Sequence, residues 1–238
     1  MTPSSPDYAG AYHEVRVDVT ELLRSQSETQ LDTIAPATPE WRVRDIAAHL
    51  AGVCDDITQG NMTGVASDEW TAAHVAKRAD WTIEHLLDDW HEHATIVEDQ
   101  MNAWGPGMGQ MVFDAFTHEQ DIRGALDTPG GRESAAAAIA FDWITANLRA
   151  PADASSDDPR RRPPIRVITE AGEADILGPS AATTTATTLR VSRFEFLRTI
   201  TGRRSRHQIE LFDWDGAPRV DDLYGNDIFR PAMLDVIE

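Results

Sequence analysis

The stretch MVFDAFTHEQDIRGAL holds an aspartate and a histidine, Asp114 and His118, four residues apart. Apolar residues at Met111, Ala115, Ile122 and Ala125 recur around them at helical spacing, which predicts a helix from about Met108 to Leu126. On a helix the two side chains project roughly 40° apart and one turn along the axis, so both can reach a single ion. A carboxylate with an imidazole suits a divalent ion of intermediate softness, such as Zn²⁺. The same couple also occurs in helices as a solvated or hydrogen-bonded pair that holds no ion.

His49 bears on that choice. It follows Ile46 by three residues and precedes Val53 by four, at the edge of a second apolar stripe. A histidine there is ordinarily a core residue with its hydrogen bonds satisfied. Beside an inward Asp–His pair on another helix it completes three ligands, and three protein ligands leave a position open, as catalytic zinc sites require.

Four helices must position these groups. Val15, Val19, Leu22 and Leu23 predict one helix within residues 7–31. TPEWRVRDIAAHL predicts a second, with Thr38 as its cap, Pro39 in the first position and Glu40 in the first turn. A polar stretch from Gly60 to Asp68 interrupts the pattern before Trp70, and Thr82 then caps a third helix that GPGMG ends. The fourth carries Asp114 and His118 and stops at DTPGG.

An alanine-rich segment, Arg132–Arg149, reads as a further helix, and PADASSDDPRRRPP after it reads as a linker. The domain boundary is placed there, with a helical bundle over residues 1–150 and a small α/β domain over 151–238. The second domain shows the strand-favouring segments IRVIT, ADILG and TTTATTLRV, a helix over Ser192–Thr201, and HQIELFDW as a helix or strand. The fold class is α+β.

Over 238 residues, 40 acidic side chains against 21 basic ones give a formal net charge of −19, which disfavours nucleic acid and anionic membranes as partners. No apolar run is long enough to span a membrane. The N-terminus lacks the pattern of a secretory signal, and the single cysteine, Cys54, forms no internal disulfide; both lead us to expect a cytoplasmic protein. Cys54 lies in an apolar helix pattern, as a buried structural thiol does.

Arg203, Arg204 and Arg206 form a cationic cluster suited to a carboxylate-bearing substrate or cofactor, and equally to pairing with local acids. His85, His91 and His93 read as solvated, because His91 and His93 project roughly 200° apart on a helix. Trp41, Trp70, Trp81, Trp90 and Trp104 read as core and bundle-end residues.

TPEWRVRDIAAHLAG resembles the opening of the second helix in DinB-like, mycothiol-dependent maleylpyruvate isomerase proteins of actinobacterial type. FDAFTHEQDIRGAL resembles their later ligand-bearing helix, followed by a DIR-type signature at Asp121, Ile122 and Arg123. RFEFLRTITGRRS resembles the helix and turn of their C-terminal domain.

The resemblance implies a DinB-like four-helix bundle with His49, Asp114 and His118 as metal ligands, and Asp121 and Arg123 on the cofactor side. It implies mycothiol as cosubstrate and an isomerase or S-transferase acting on a small electrophile; the arginine cluster, read from its charge, is the candidate catalytic group for an anionic substrate. Relatives often carry glutamate where this chain has Asp114, one methylene shorter. A non-catalytic metal-containing binding or regulatory protein and a metal hydrolase are the alternatives. The chain is expected to work as a monomer or homodimer.

Overall fold

A computed structural model describes residues 5–149, 162–177, 187–224 and 229–238. The chain divides into two compact units, Met1–Ile139 with Glu238, and Ala140–Ile237.

The first unit is built on α1 (Tyr8–Arg24), α3 (Val43–Gln59), α5 (Ile83–Trp104) and α6 (Gly109–Ala125). Each packs on two of the others in the cyclic order α1, α5, α3, α6. Val15, Val19, Ile46, Leu50, Leu87, Trp90, Val97 and Phe116 fill the space they enclose. This is the expected four-helix bundle, and the apolar stripes read from the sequence are its inward faces. Asp7 caps α1 through the amide of Gly10, and Thr82 caps α5 through the amide of His85.

Three local features differ from expectation. The first helix ends at Arg24, and a separate turn of helix, α2 (Glu28–Leu31), starts at the cap Ser27. The second helix begins at Val43 instead of Thr38. Residues Thr38–Arg42 are a strand, β2, paired antiparallel with β1 (Ile34–Ala35). The reason is competition between caps. The Asp45 carboxylate accepts the Arg42 amide at 2.9 Å and binds its guanidinium, while the Val43 amide donates to the Thr33 carbonyl. Thr38 Oγ1 is buried without a hydrogen-bond partner. Finally, a helix, α4 (Asp68–Lys77), forms after the polar stretch, capped by Ser67 and burying Trp70 and His74.

In the bundle core, Trp90 Nε1 donates to the Tyr12 hydroxyl, which lies 3.1 Å from Cys54 Sγ. Burial pushes the Cys54 thiol up to about 12, so it stays protonated and structural. His93 corrects the solvated reading: it is largely buried, with Nδ1 at 2.8 Å from Thr58 Oγ1. His85 is exposed and stacks on Trp81, and His91 touches Arg16.

Helix α7 (Ala135–Leu148) runs from the first unit into the second. The linker expected over Pro151–Pro164 lies mostly outside the described residues. A four-stranded sheet follows, ordered β4 (Gly172–Ile176), β3 (Ile165–Thr169), β5 (Thr187–Arg190), β6 (Asp213–Asp215). The β3–β4 and β5–β6 pairs are antiparallel and β3–β5 is parallel. Ile165 and Val167 are buried while Arg166 between them is exposed, the alternation of a sheet with one covered face. Helix α8 (Arg193–Ile200) is capped by Ser192 as its sequence suggests. HQIELFDW is divided between a short helix, α9 (Arg206–Glu210), and β6. The α+β class holds, with a helical bundle followed by a small α/β unit. Among the described residues no helix is long and apolar enough to cross a membrane.

Candidate metal centre

His49 sits midway along α3 and is 3% exposed. Asp114 and His118 lie on the adjacent α6. The three side chains converge, each offering a ligand atom within 4.8 Å of the others. His49 Nε2 is 3.5 Å from Asp114 Oδ2, and His118 Nε2 is 3.6 Å from Asp114 Oδ1. Ligand atoms about 2.1 Å from a tetrahedral ion stand about 3.4 Å from one another. Both imidazole–carboxylate separations are close to that value, each to its own oxygen of Asp114, and all three ligand atoms lie within 4.8 Å of one another. Asp114 is one methylene shorter than glutamate and still reaches both imidazoles.

The opposite ring nitrogens are occupied. His118 Nδ1 lies 3.0 Å from Asp121 Oδ2, and Asp121 is fully buried. His49 Nδ1 lies 3.2 Å from His74 Nδ1, and His74 Nε2 lies 3.0 Å from Asp56 Oδ2. Both histidines therefore present Nε2 to the cluster. Burial lowers the pKa of His49, more than the Asp114 charge beside it raises it, which favours the neutral imidazole a metal needs.

Aromatic rings wall the cluster. Trp41, on β2, has its ring centroid 5.2 Å from that of His49 and 5.6 Å from that of His118. Trp70 meets His74 edge-on at 4.2 Å. The Asp114 side chain is 36% exposed, so the centre is covered at the imidazoles and open at the carboxylate. A buried, anionic three-ligand set with one accessible side can hold a divalent ion and leave it a position for a solute.

Other residues singled out from the sequence lie elsewhere. Asp121 touches the cluster through His118. Arg123 reaches Glu119 at 2.7 Å and Asp18 at 3.4 Å, tying α6 to α1. Arg203, Arg204 and Arg206 belong to the second unit. Arg203 is buried and donates to the Thr201 carbonyl, and Arg204 is buried in a two-pronged pair with Glu195 at 2.5 and 2.9 Å. Arg206 is exposed and pairs with Asp221 and Glu210.

Sequence reasoning missed His74 and Asp56. A signal existed for each. Asp56 follows His49 by seven residues and so shares its face of α3, and His74 follows Trp70 by four on a segment capped by Ser67.

Residues 12–128 match the family described as the mycothiol maleylpyruvate isomerase N-terminal domain. Among solved structures, the crystal structure of a histidine-to-alanine mutant of the mycothiol-dependent maleylpyruvate isomerase shares the fold, with a TM-score of 0.55 and 10% sequence identity. The match covers 87% of this chain and 91% of that one. No curated protein matches the sequence.

Proposed function

Because residues 12–128 of this chain belong to the mycothiol maleylpyruvate isomerase N-terminal domain family, we propose that the protein is a metal-dependent enzyme using a low-molecular-weight thiol, mycothiol, on a small electrophile. Isomerisation and S-transfer are the two outcomes of that chemistry. The observation that supports this reading best is the convergence of His49, Asp114 and His118 with one side accessible.

His49 and His118 would hold a divalent ion such as Zn²⁺ through Nε2, and Asp114 through a carboxylate oxygen. A divalent ion there supplies one effect, lowering the pKa of a thiol brought to it so that the nucleophilic thiolate forms at neutral pH. Asp121 holds the His118 ring in its ligating orientation. Trp41 covers the imidazoles and limits water on that side. A thiolate adds to an activated double bond, leaving a single bond that can rotate and an enolate; expulsion of the thiolate restores the double bond and completes an isomerisation, whereas protonation of the enolate carbon with the thioether retained completes a transfer. The arginine cluster stays a separate proposal within the second unit, where Arg206, paired with Asp221 and Glu210, is its exposed member and Arg203 and Arg204 hold the turn before it.

The test combines metal analysis of the purified protein with thermal shift and turnover, offering mycothiol with maleylpyruvate and, separately, with a bimane electrophile. The expected result is a bound divalent metal, a melting temperature raised by mycothiol, and turnover lost in His49→Ala. Full thiol-dependent turnover by His49→Ala, or no metal and no thiol binding in the wild type, overturns the proposal. Metal-dependent hydrolysis without thiol would transfer the same centre to activated water.

A further inference from the structure

Behind the ligand His49 stands a second imidazole, and behind that a carboxylate. The line runs from Asp56 Oδ2 to His74 Nε2 at 3.0 Å and from His74 Nδ1 to His49 Nδ1 at 3.2 Å. His49 and Asp56 lie on one face of α3, and His74 is buried on α4. An ionised carboxylate only accepts hydrogen bonds, whereas a neutral imidazole has one donor and one acceptor nitrogen. With Asp56 ionised and both imidazoles neutral, one assignment satisfies both contacts of the line. His74 Nε2–H donates to Asp56, His49 Nδ1–H donates to His74 Nδ1, and the lone pair of His49 lies on Nε2, toward Asp114 and His118.

We infer that His74 and Asp56 form a positioning relay that fixes the tautomer and ring orientation of His49 for metal binding. It does for His49 what Asp121 does for His118, with an imidazole interposed. The inference rests on the metal-centre reading above.

The packing explains the interposed ring. Gly52 lies between His49 and Asp56 on the same face of α3, and a Cβ built there would stand 2.3 Å from His74 Cγ. The ring of His74 occupies the space that any other residue at 52 would fill. Trp70, one turn earlier on α4, packs against that ring and holds it. His74 is a positioning residue, since it acts through His49 and not on the substrate.

Two readouts test the relay, and the first needs no metal. Nitrogen NMR of the histidines in metal-free protein should show His49 protonated at Nδ1 and bare at Nε2, with His74 protonated at Nε2 alone. His74→Phe keeps a buried ring but removes the acceptor, and should shift His49 toward the Nε2–H tautomer. Competition titration with Co²⁺ against a chelator should then show His74→Phe binding about 10- to 100-fold more weakly than wild type.

His74→Asn is the rescue, because its amide oxygen falls near the position of Nδ1 and can accept from His49; it should keep most of the Co²⁺ affinity. A merely structural role for His74 would predict the reverse order, with the smaller, polar asparagine worse than phenylalanine. A His49 already protonated at Nε2 in the wild type, a doubly protonated His74, or unchanged Co²⁺ affinity in His74→Phe overturns the relay. If the relay tautomers are present and wild-type protein fails to bind Co²⁺, the relay stands and the metal-enzyme reading falls.

Discussion

Helix α3 contributes one side chain, His49 or Asp55, to each of two histidine–aspartate clusters, and they have nearly the same spacings. In the candidate metal centre, the imidazoles of His49 and His118 stand 3.5 and 3.6 Å from Asp114. Two turns along, His93 Nε2 stands 3.5 and 3.6 Å from the carboxylates of Asp55 and Asp89. The second cluster is already neutralised. Arg78, whose side chain is fully buried, reaches Asp55 at 3.0 Å and Asp89 at 2.8 Å, and Lys77 also pairs with Asp55. The distances alone therefore do not make a metal site. One cluster carries its cation as a side chain and holds α4, α3 and α5 together, while the other gathers two imidazole nitrogens around a partly exposed carboxylate.

The contrast is broken most severely by removing the built-in cation. Arg78→Met should leave Asp89 without its guanidinium and Asp55 with Lys77 alone, and destabilise the bundle by about 3–5 kcal/mol, read from urea unfolding. A loss under about 1 kcal/mol would mean that solvent, not Arg78, balances Asp55 and Asp89. At the other cluster the effects should exchange places. His49→Ala should cost metal-free protein no more than the ordinary 0.5–3 kcal/mol of a single substitution, yet weaken Zn²⁺ binding by more than the roughly 10- to 100-fold expected of an outer-shell change. Equal Zn²⁺ affinity in mutant and wild type would remove His49 from the ligand set.

Adding metal sharpens the same distinction. Zn²⁺ at about 100 times its Kd should stabilise wild type by about 2.7 kcal/mol and leave the melting temperature of Asp114→Ala unchanged. A shift shared by both proteins would place the ion elsewhere. Asp121→Ala should lie between the two, with Zn²⁺ affinity reduced about 10- to 100-fold as the orientation of His118 loosens.

The smallest effect concerns pH. Burial alone would raise the pKa of Asp55, but hydrogen bonds and charges from Lys77 and Arg78 outweigh it and hold the carboxyl below its usual range. Its folded value therefore lies below its unfolded one, about 3.9. The stability it contributes is complete above that value and is lost as pH falls through the folded pKa. Arg78→Met should flatten that acid limb of the stability profile, and an unchanged limb would assign it to other carboxylates.

How much of this was legible in the sequence varied from element to element. The apolar periodicities of α1, α3, α5 and α6 announced a bundle, because a helix must bury a stripe and the period of that stripe is local information. The start of α3 was misread for an equally physical reason. Thr38-Pro39-Glu40 is a good helix start taken alone, but Asp45 offers Arg42 a better cap, and pairing with Ile34–Ala35 draws the segment into a strand. Helix α4 escaped notice because the polar, glycine-containing run before it obscures the stripe.

The sequence by itself determined the candidate ligand types and the four-residue spacing that sets Asp114 and His118 on one face of α6. It also determined the acidic balance and the change in texture from helical to strand-rich segments. The tertiary structure decided which of two similar His–Asp groups receives a guanidinium, and which imidazole stands behind His49. Those partners come from α4, whose His74 is 25 residues away in the chain from His49. A contact between helices depends on where each helix lies, and on a gap such as the one at Gly52, so no local period or motif encodes it.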